Sequence, residues 1–296
     1  MKKYAFLLFA IISLAGMLAI SGCKKKDTYT VTFNANGGTG TMSAQTFTEG
    51  EAQALTRNAF TYDGYTFTGW NTVQGGSGAT YTDGQTITAT ADMTLYAQWE
   101  KITSGQLNGH DWVDLGLPSG LLWATCNVGS TTPEGYGDYF AWGETAPKDT
   151  YNWSTYNYYD GSSVTKYTSS DNLTILEASD DAATANWGAG WRMPTADEMR
   201  ELQDYCVVIW KEQNGVNGRL FTGPNGNSIF LPAAGYRLVS ELYYAGSSGY
   251  YWSSSLYTDS PDYAWDLSFY SDYYSVYCNN RGCGHSVRPV CVSSQN

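Results

Sequence analysis

Histidine is nearly missing from this sequence, with two in 296 residues. Any Ser-His-Asp or Cys-His chemistry must pass through His110 or His285, and neither sits in a recognisable catalytic motif. Basic residues are also scarce: 16 Lys and Arg stand against 28 Asp and Glu, for a net charge of −12. No basic stripe is available to neutralise phosphates, which excludes nucleic acid as a partner. Zinc spacing is absent too, because Cys278 and Cys283 have no second ligand pair after them. No cofactor is expected. Long apolar runs are confined to the N-terminus, and a capped helical pattern stands out only once in the rest of the chain. What is abundant is glycine, at 32 residues, and aromatic side chains, at 16 %. With charged residues at only 15 %, this composition belongs to a β-rich, turn-rich globular chain rather than a disordered one.

The N-terminal stretch "MKKYAFLLFAIISLAGMLAISGC" has two lysines, an apolar run and small residues before Cys23. The run is too short for an ordinary membrane span. Ile20-Ser21-Gly22-Cys23 resembles a bacterial lipobox. The resemblance implies a signal peptide over residues 1–22, cleavage, lipidation of Cys23 and a short tether to residue 27. Several buried acyl chains, each gaining about 0.8 kcal/mol per methylene, would hold the protein on a membrane. The implied location is the outer membrane. Lys24, Lys25 and Lys26 depart from the acidic residues that often follow the cysteine of surface-exported lipoproteins in Bacteroides-like bacteria. Cell surface and periplasmic leaflet both stay open.

Residues 28–100 read as a short β module. Val31 and Phe33 alternate with Thr30, Thr32 and Asn34, and Asn36-Gly37-Gly38 supplies a turn. Leu95, Ala97 and Trp99 alternate in the same way. "FNANGG", "GYTFTGW" and "LYAQW", in that order, resemble the internalin-type B repeat, or Listeria–Bacteroides repeat. The resemblance implies a β-grasp-like spacer, with Trp70 and Trp99 as core residues.

Residues 101–108 are polar and read as a linker, so the two domains are expected to separate there on limited proteolysis. Beyond it, residues 109–296 read as an α+β domain with many loops and few helices. Its one clear helix follows Thr195, which with Glu198 forms a capping box. Met199, Leu202 and Cys206 then fall on one face. The motifs "WVDLGLPSGLLWATCNVG", "GDYFAWGE", "GWRMPTADEM", "NSIFLPAAGYR", "YYWSSS" and "SVRPV" resemble the Fibrobacter succinogenes major paralogous domain. That resemblance implies a C-type-lectin-like fold, close to the version in formylglycine-generating enzymes. Cys126 lies in one of these motifs and Cys206 on the inner face of the helix. In an exported chain they are expected to pair as a disulfide, or at least to lie within bonding distance.

Residues 243–285 hold the candidate site. An apolar and turn-forming frame (Trp252, Ala264, Leu267, Phe269, Val276, Arg281, Gly284, Val287, Arg288 and Pro289) alternates with gaps drawn from a narrow set. Tyr257, Asp259, Ser260, Asp262, Tyr263, Asp266, Ser268, Tyr270, Asp272, Tyr273, Tyr274, Tyr277, Asn279 and Asn280 are the candidate ligand-binding residues. Ser275, Cys278, Gly282, Cys283 and His285 belong to the same gap set. Most of the tyrosines and aspartates are expected to be exposed on one surface, with Leu267 and Phe269 pointing inward. Tyrosine offers stiff contact area and a hydroxyl, while Ser and Asn adapt. Relatives of this domain include variable proteins of diversity-generating retroelements, which mutate template adenines and would fill such gaps with this set.

Two acidic pairs, Asp180-Asp181 and Asp259-Ser260-Pro261-Asp262, read either as calcium ligands or as solvated loop acids. The function that fits best is a lipid-anchored, non-enzymatic binding protein for a protein or glycan. A sulfatase-modifying type of enzyme is the alternative, although no groove cysteine pair of that type maps onto this sequence. A fibre-tip subunit is the third reading.

Overall fold

The computed structural model describes residues 25–292. The leader and Cys23 lie outside the described residues. The chain divides into two compact units, one running to Tyr62 and from Phe67 to Trp99, the other comprising Asp63–Thr66 and the chain from Glu100.

The first unit carries β1 (Thr28–Asn34), β2 (Gln45–Thr48), β3 (Gln53–Ala54), β4 (Tyr65–Asn71), β5 (Thr80–Tyr81), β6 (Thr86–Ile87) and β7 (Met93–Lys101). The main sheet runs β2-β1-β7-β4-β5, with β1 antiparallel to β2 and parallel to β7. Val31 and Phe33 point into the core and Thr30, Thr32 and Asn34 away from it, as their alternation requires. The turn after β1 is made by Asn36 and Gly37, both at positive φ (49° and 97°). Trp70 is fully buried, with the rings of Phe33 and Phe67 each 4.9 Å away. Trp99 is half-buried and donates its indole N–H to the Ala35 carbonyl at 2.9 Å.

The second unit begins with β8 (Ser104–Leu107), β9 (His110–Asp114) and β10 (Leu122–Ala124). Residues 101–108 are therefore not a plain linker, since half of them form a strand paired with β9 from Leu107↔His110 to Ser104↔Val113. The cause is local. Asn108 and Gly109 take φ of 50° and 81°, the two-residue turn that matches strand twist, so a polar segment is held in a hairpin.

Next come helix α1 (Ala182–Trp187), β11 (Trp191–Arg192) and helix α2 (Ala196–Tyr205). The α2 capping box is formed as expected: Thr195 Oγ1 accepts from Glu198 N–H (3.3 Å), and Glu198 accepts from Thr195 N–H (2.7 Å). Met199 and Leu202 are buried. Thr195→Ala should cost about 1 kcal/mol in urea unfolding, the usual worth of such a cap.

The remainder is β-structure: β12 (Val207–Gln213), β13 (Val216–Thr222) and β14 (Ser228–Pro232) as one sheet, and β15 (Tyr236–Leu238) with β16 (Glu241–Tyr243) as a hairpin. A third sheet holds β17 (Ser248–Leu256), β18 (Tyr263–Tyr270) and β19 (Tyr273–Asn280). Finally β20 (Val290–Cys291) inserts between β10 and β11, giving the order β11-β20-β10-β9-β8. The unit is mostly β-sheet with few helices.

The expected Cys126–Cys206 disulfide is not formed; the five described cysteines are free. Helix α2 ends at Tyr205, so Cys206 becomes its C-cap, donating its N–H to Leu202 O. The Cys206 thiol packs against the apolar cluster around Phe221 and Leu202, and burial pushes it up to about 11. Cys126 instead lies 3.6 Å from the Thr125 hydroxyl.

Candidate ligand-binding face

Antiparallel register fixes which side chains share a face of the β17-β18-β19 sheet. Trp252, Asp266 and Tyr277 stand in one row, Tyr250, Ser268 and Ser275 in the next, and Ser248, Tyr270 and Tyr273 in the third. Because side chains alternate, these rows and Asn279 form one face. Tyr251, Leu267, Phe269, Val276, Trp265 and Tyr274 form the other, which packs against Phe221, Met199 and Leu202. Every frame residue of the 252–289 stretch is buried, Leu267 and Phe269 included.

On the outer face Tyr270, Tyr273 and Tyr277 are exposed. The Tyr270 and Tyr273 rings stack at 5.5 Å. With Tyr250, Ser268 and Asn279 they line a cleft of about 280 Å³. The β15-β16 hairpin extends the aromatic surface: Tyr236 lies 5.0 Å from Tyr250 and 5.7 Å from exposed Tyr243.

The floor of this face differs from expectation. Asp266 is fully buried rather than exposed, because Trp252 and Tyr277 flank it in its row. Its Oδ2 accepts from Ser268 Oγ (2.8 Å) and Asn279 Nδ2 (2.9 Å). His285 and Gly282, also expected in the variable gaps, are buried too. The imidazole of His285 stacks on Trp252 at 3.9 Å. His285 Nδ1 lies 3.4 Å from Asp266 Oδ2 but is misaligned for a hydrogen bond, and both Nδ1 and Asp266 Oδ1 lack partners. Burial holds Asp266 up at about 7 and His285 down at about 3.

The expected single cluster also divides. Tyr274 faces inward, with the Arg219 guanidinium 4.7 Å from its ring centre. Half-buried Tyr257 packs edge-on against Trp265 at 5.0 Å, on the α2 side, where Arg200 covers the other ring contact. Tyr263 and Asn280 pair at the end of the sheet, and the Asp259, Ser260 and Asp262 turn projects there, with Asp259 and Asp262 exposed. Asp272, exposed, sits in the turn between β18 and β19.

Residues 116–291 match the Lcl C-terminal domain, over more than half of the chain. The chain belongs to the Lcl C-terminal domain family. Residues 29–98 match the Listeria–Bacteroides repeat domain, as their motifs indicated. A protein of Evansella cellulosilytica described as "Putative Gly-rich membrane protein" is 41 % identical over 76 residues, covering 24 % of this chain and 9 % of that protein. The chain thus spans a small fraction of the length of that relative. No solved structure matches.

Within the family domain, two buried arginines tie distant segments of backbone together. Arg281 donates to the carbonyls of Lys166, Tyr167 and Pro261 and to the Tyr156 hydroxyl. Arg288 donates to the carbonyls of Ala124, Thr125 and Phe230 and to Asn127 Oδ1. The serines of "YYWSSS" tie β17 to α2: Ser255 Oγ accepts from Ala196 N–H at 3.0 Å, and Ser254 N–H donates to Pro194 O at 2.7 Å.

The Asp180-Asp181 pair is neither solvated nor arranged for calcium. Asp180 takes the ammonium of Lys166 and the hydroxyl of Tyr167, while Asp181 accepts from Thr184 N–H to cap α1 and from Met193 N–H. Among the described residues no group of three or more His, Cys, Asp or Glu could hold a metal ion, and no helix is long and apolar enough to cross a membrane. Tyr236 was absent from the sequence-based site. Only the crowding of tyrosines from residue 243 onward hinted that the surface reached beyond β18 and β19.

Proposed function

We propose that this protein is a lipid-anchored binding protein of the bacterial envelope. It recognises a protein or glycan through the outer face of the β17-β18-β19 sheet, and does not catalyse a reaction. The observation that carries this reading is the contrast across one sheet: Tyr270, Tyr273 and Tyr277 stand exposed on one side while Leu267, Phe269 and Val276 are sealed on the other. Exposed, rigid aromatic residues are what binding surfaces use as anchors. Both histidines have structural positions, His110 stacked on Trp187 at 3.8 Å and His285 on Trp252, which favours binding over catalysis.

The second unit is read as C-type-lectin-like, and the repeat as a spacer that lifts it from a membrane anchor at Cys23. The residue set of the gaps supports diversification by a retroelement. Peptide and glycan arrays probed with the wild-type chain and with Tyr270→Ala/Tyr273→Ala/Tyr277→Ala test the function. The wild type should bind array members that the triple variant loses, with the triple variant still unfolding cooperatively from a folded state. The same binding pattern from both chains would overturn the assignment of this face.

A further inference from the structure

Beside the tyrosine cleft lies a buried carboxyl group that faces the His285 imidazole, Nδ1 3.4 Å from Asp266 Oδ2, and has no Lys or Arg partner. Asp266 Oδ1 is buried and unpartnered, and Asp266 is tethered to the cleft wall by Ser268 and Asn279, which both line the cleft. No Lys or Arg lines the cleft. The nearby arginines are committed elsewhere: Arg219 to the carbonyls of Tyr270 and Ser271 and to the Tyr274 ring, Arg200 to Trp265, and Arg237 to Tyr139. An anion therefore finds no counter-charge here. A neutral sugar finds the two best donors, Ser268 Oγ and Asn279 Nδ2, already given to Asp266. What the site leaves open is an acceptor, Asp266 Oδ1, with no donor on it.

We propose that the cleft takes an ammonium group, the lysine side chain of a protein partner, held among Tyr250, Tyr270, Tyr273 and Tyr277 with the Asp266 carboxylate as its counter-charge. The proposal rests on the reading of this sheet face as ligand-binding. Tyrosine faces attract cations through the ring quadrupole, more strongly where water is excluded. A lysine stem is slender enough for a cleft of about 280 Å³, and its ammonium offers three donors to an acceptor that lacks one. Tyr277 stands directly across the strand pair from Asp266 and is mostly exposed, so its side chain can change rotamer as a ligand enters. Such rotamer changes at exposed residues are fast.

The titration of Asp266 supports the geometry. The other titratable groups around it are His285, Tyr250, Cys278, Cys283 and its cross-strand neighbour Tyr277. Burial keeps His285 down and Tyr250, Cys278 and Cys283 up, so these four are neutral near pH 7. Asp266 alone then carries the switch, and an arriving cation favours its ionised form.

The test titrates the full chain with Nα-acetyl-lysine methylamide, and with its Nε-acetylated and norleucine counterparts, followed by tyrosine NMR signals. The lysine probe should bind, and each uncharged probe should bind roughly 10-fold more weakly or worse. Affinity should fall roughly 10-fold or more from about pH 8 to about pH 5.5, as Asp266 takes its proton. Asp266→Asn should lose the binding. If that variant fails to fold, the probe comparison and pH series on the wild type still decide. Equal binding of the three probes, affinity unchanged or higher at the lower pH, or no lysine binding up to about 50 mM would overturn the proposal. If the arrays yield uncharged ligands lost on Tyr277→Ala, the ammonium assignment fails while the face stands. If no ligand depends on these tyrosines, both fail.

Discussion

Phe269→Ala will destabilise the second unit by about 3–5 kcal/mol and Leu267→Ala by about 2–5 kcal/mol, read from urea unfolding. Phe269 is sealed under the sheet with its ring 5.8 Å from Tyr251, and directly opposite Gly249. A Cβ at Gly249 would come within 2.2 Å of that ring, so the site is packed to contact and cannot collapse cheaply around a cavity. Tyr270→Ala, Tyr273→Ala and Tyr277→Ala act on exposed rings of the same sheet, and each should cost about 0.5–1 kcal/mol at most. The separation between the two sets is the measurement. Tyrosine variants that unfold as early as Phe269→Ala would make the outer face scaffold and remove the basis for a binding role.

Asp266→Asn should stabilise the protein above pH 7 and leave it unchanged near pH 4. Burial raises Asp266 to about 7, so the folded protein retains a proton that the unfolded chain releases near 3.8. Stability from this group is therefore complete below about 4 and is lost as pH rises through 7. The full cost above pH 7 is on the order of 2–4 kcal/mol, and the amide removes it. His285 has the opposite slope. Its imidazole is held down at about 3, so stability is lost as pH falls from 6.5 towards 3. In the wild type the two slopes oppose each other between about pH 4 and 6.5. In Asp266→Asn the aspartate slope is gone, so the gain over the wild type should grow with pH from about 4 to about 7 and then level off. Urea midpoints at pH 4, 6 and 8 check this; an equal gain at pH 4 and pH 8 would show that the buried charge is not the cause.

Much of the frame was legible because it rests on short-range rules. Thr195 and Glu198 announce the start of α2, and the alternation of Leu267 and Phe269 announces their inward direction. The same alternation placed Asp266 outside, and here it misled. Parity tells which face a residue shares, but not whether a neighbour such as Trp252 or Tyr277 covers it. Tyr274 shows the complementary limit, since it lies next to Tyr273 in sequence and so must stand on the opposite face. Adjacent tyrosines in one strand cannot all join one surface. The hairpin at Asn108-Gly109 carries a local turn signal, but its first strand, SGQL, has no apolar alternation to mark it. The free thiols of Cys126 and Cys206 depended on where α2 stops, a boundary that periodicity does not fix to the residue.

The two buried arginines have a consequence for how this domain tolerates change. Of the eight guanidinium hydrogen bonds they make, six end on backbone carbonyls, and none ends on a carboxylate. A carbonyl is present whatever side chain its residue bears. These clamps therefore read the path of the chain and are largely blind to its spelling. Mutations can accumulate between Arg281 and its distant partners without loosening the grip. A surface built this way can change its side chains while the backbone path beneath them is kept, which separates the variability of the face from the persistence of the fold.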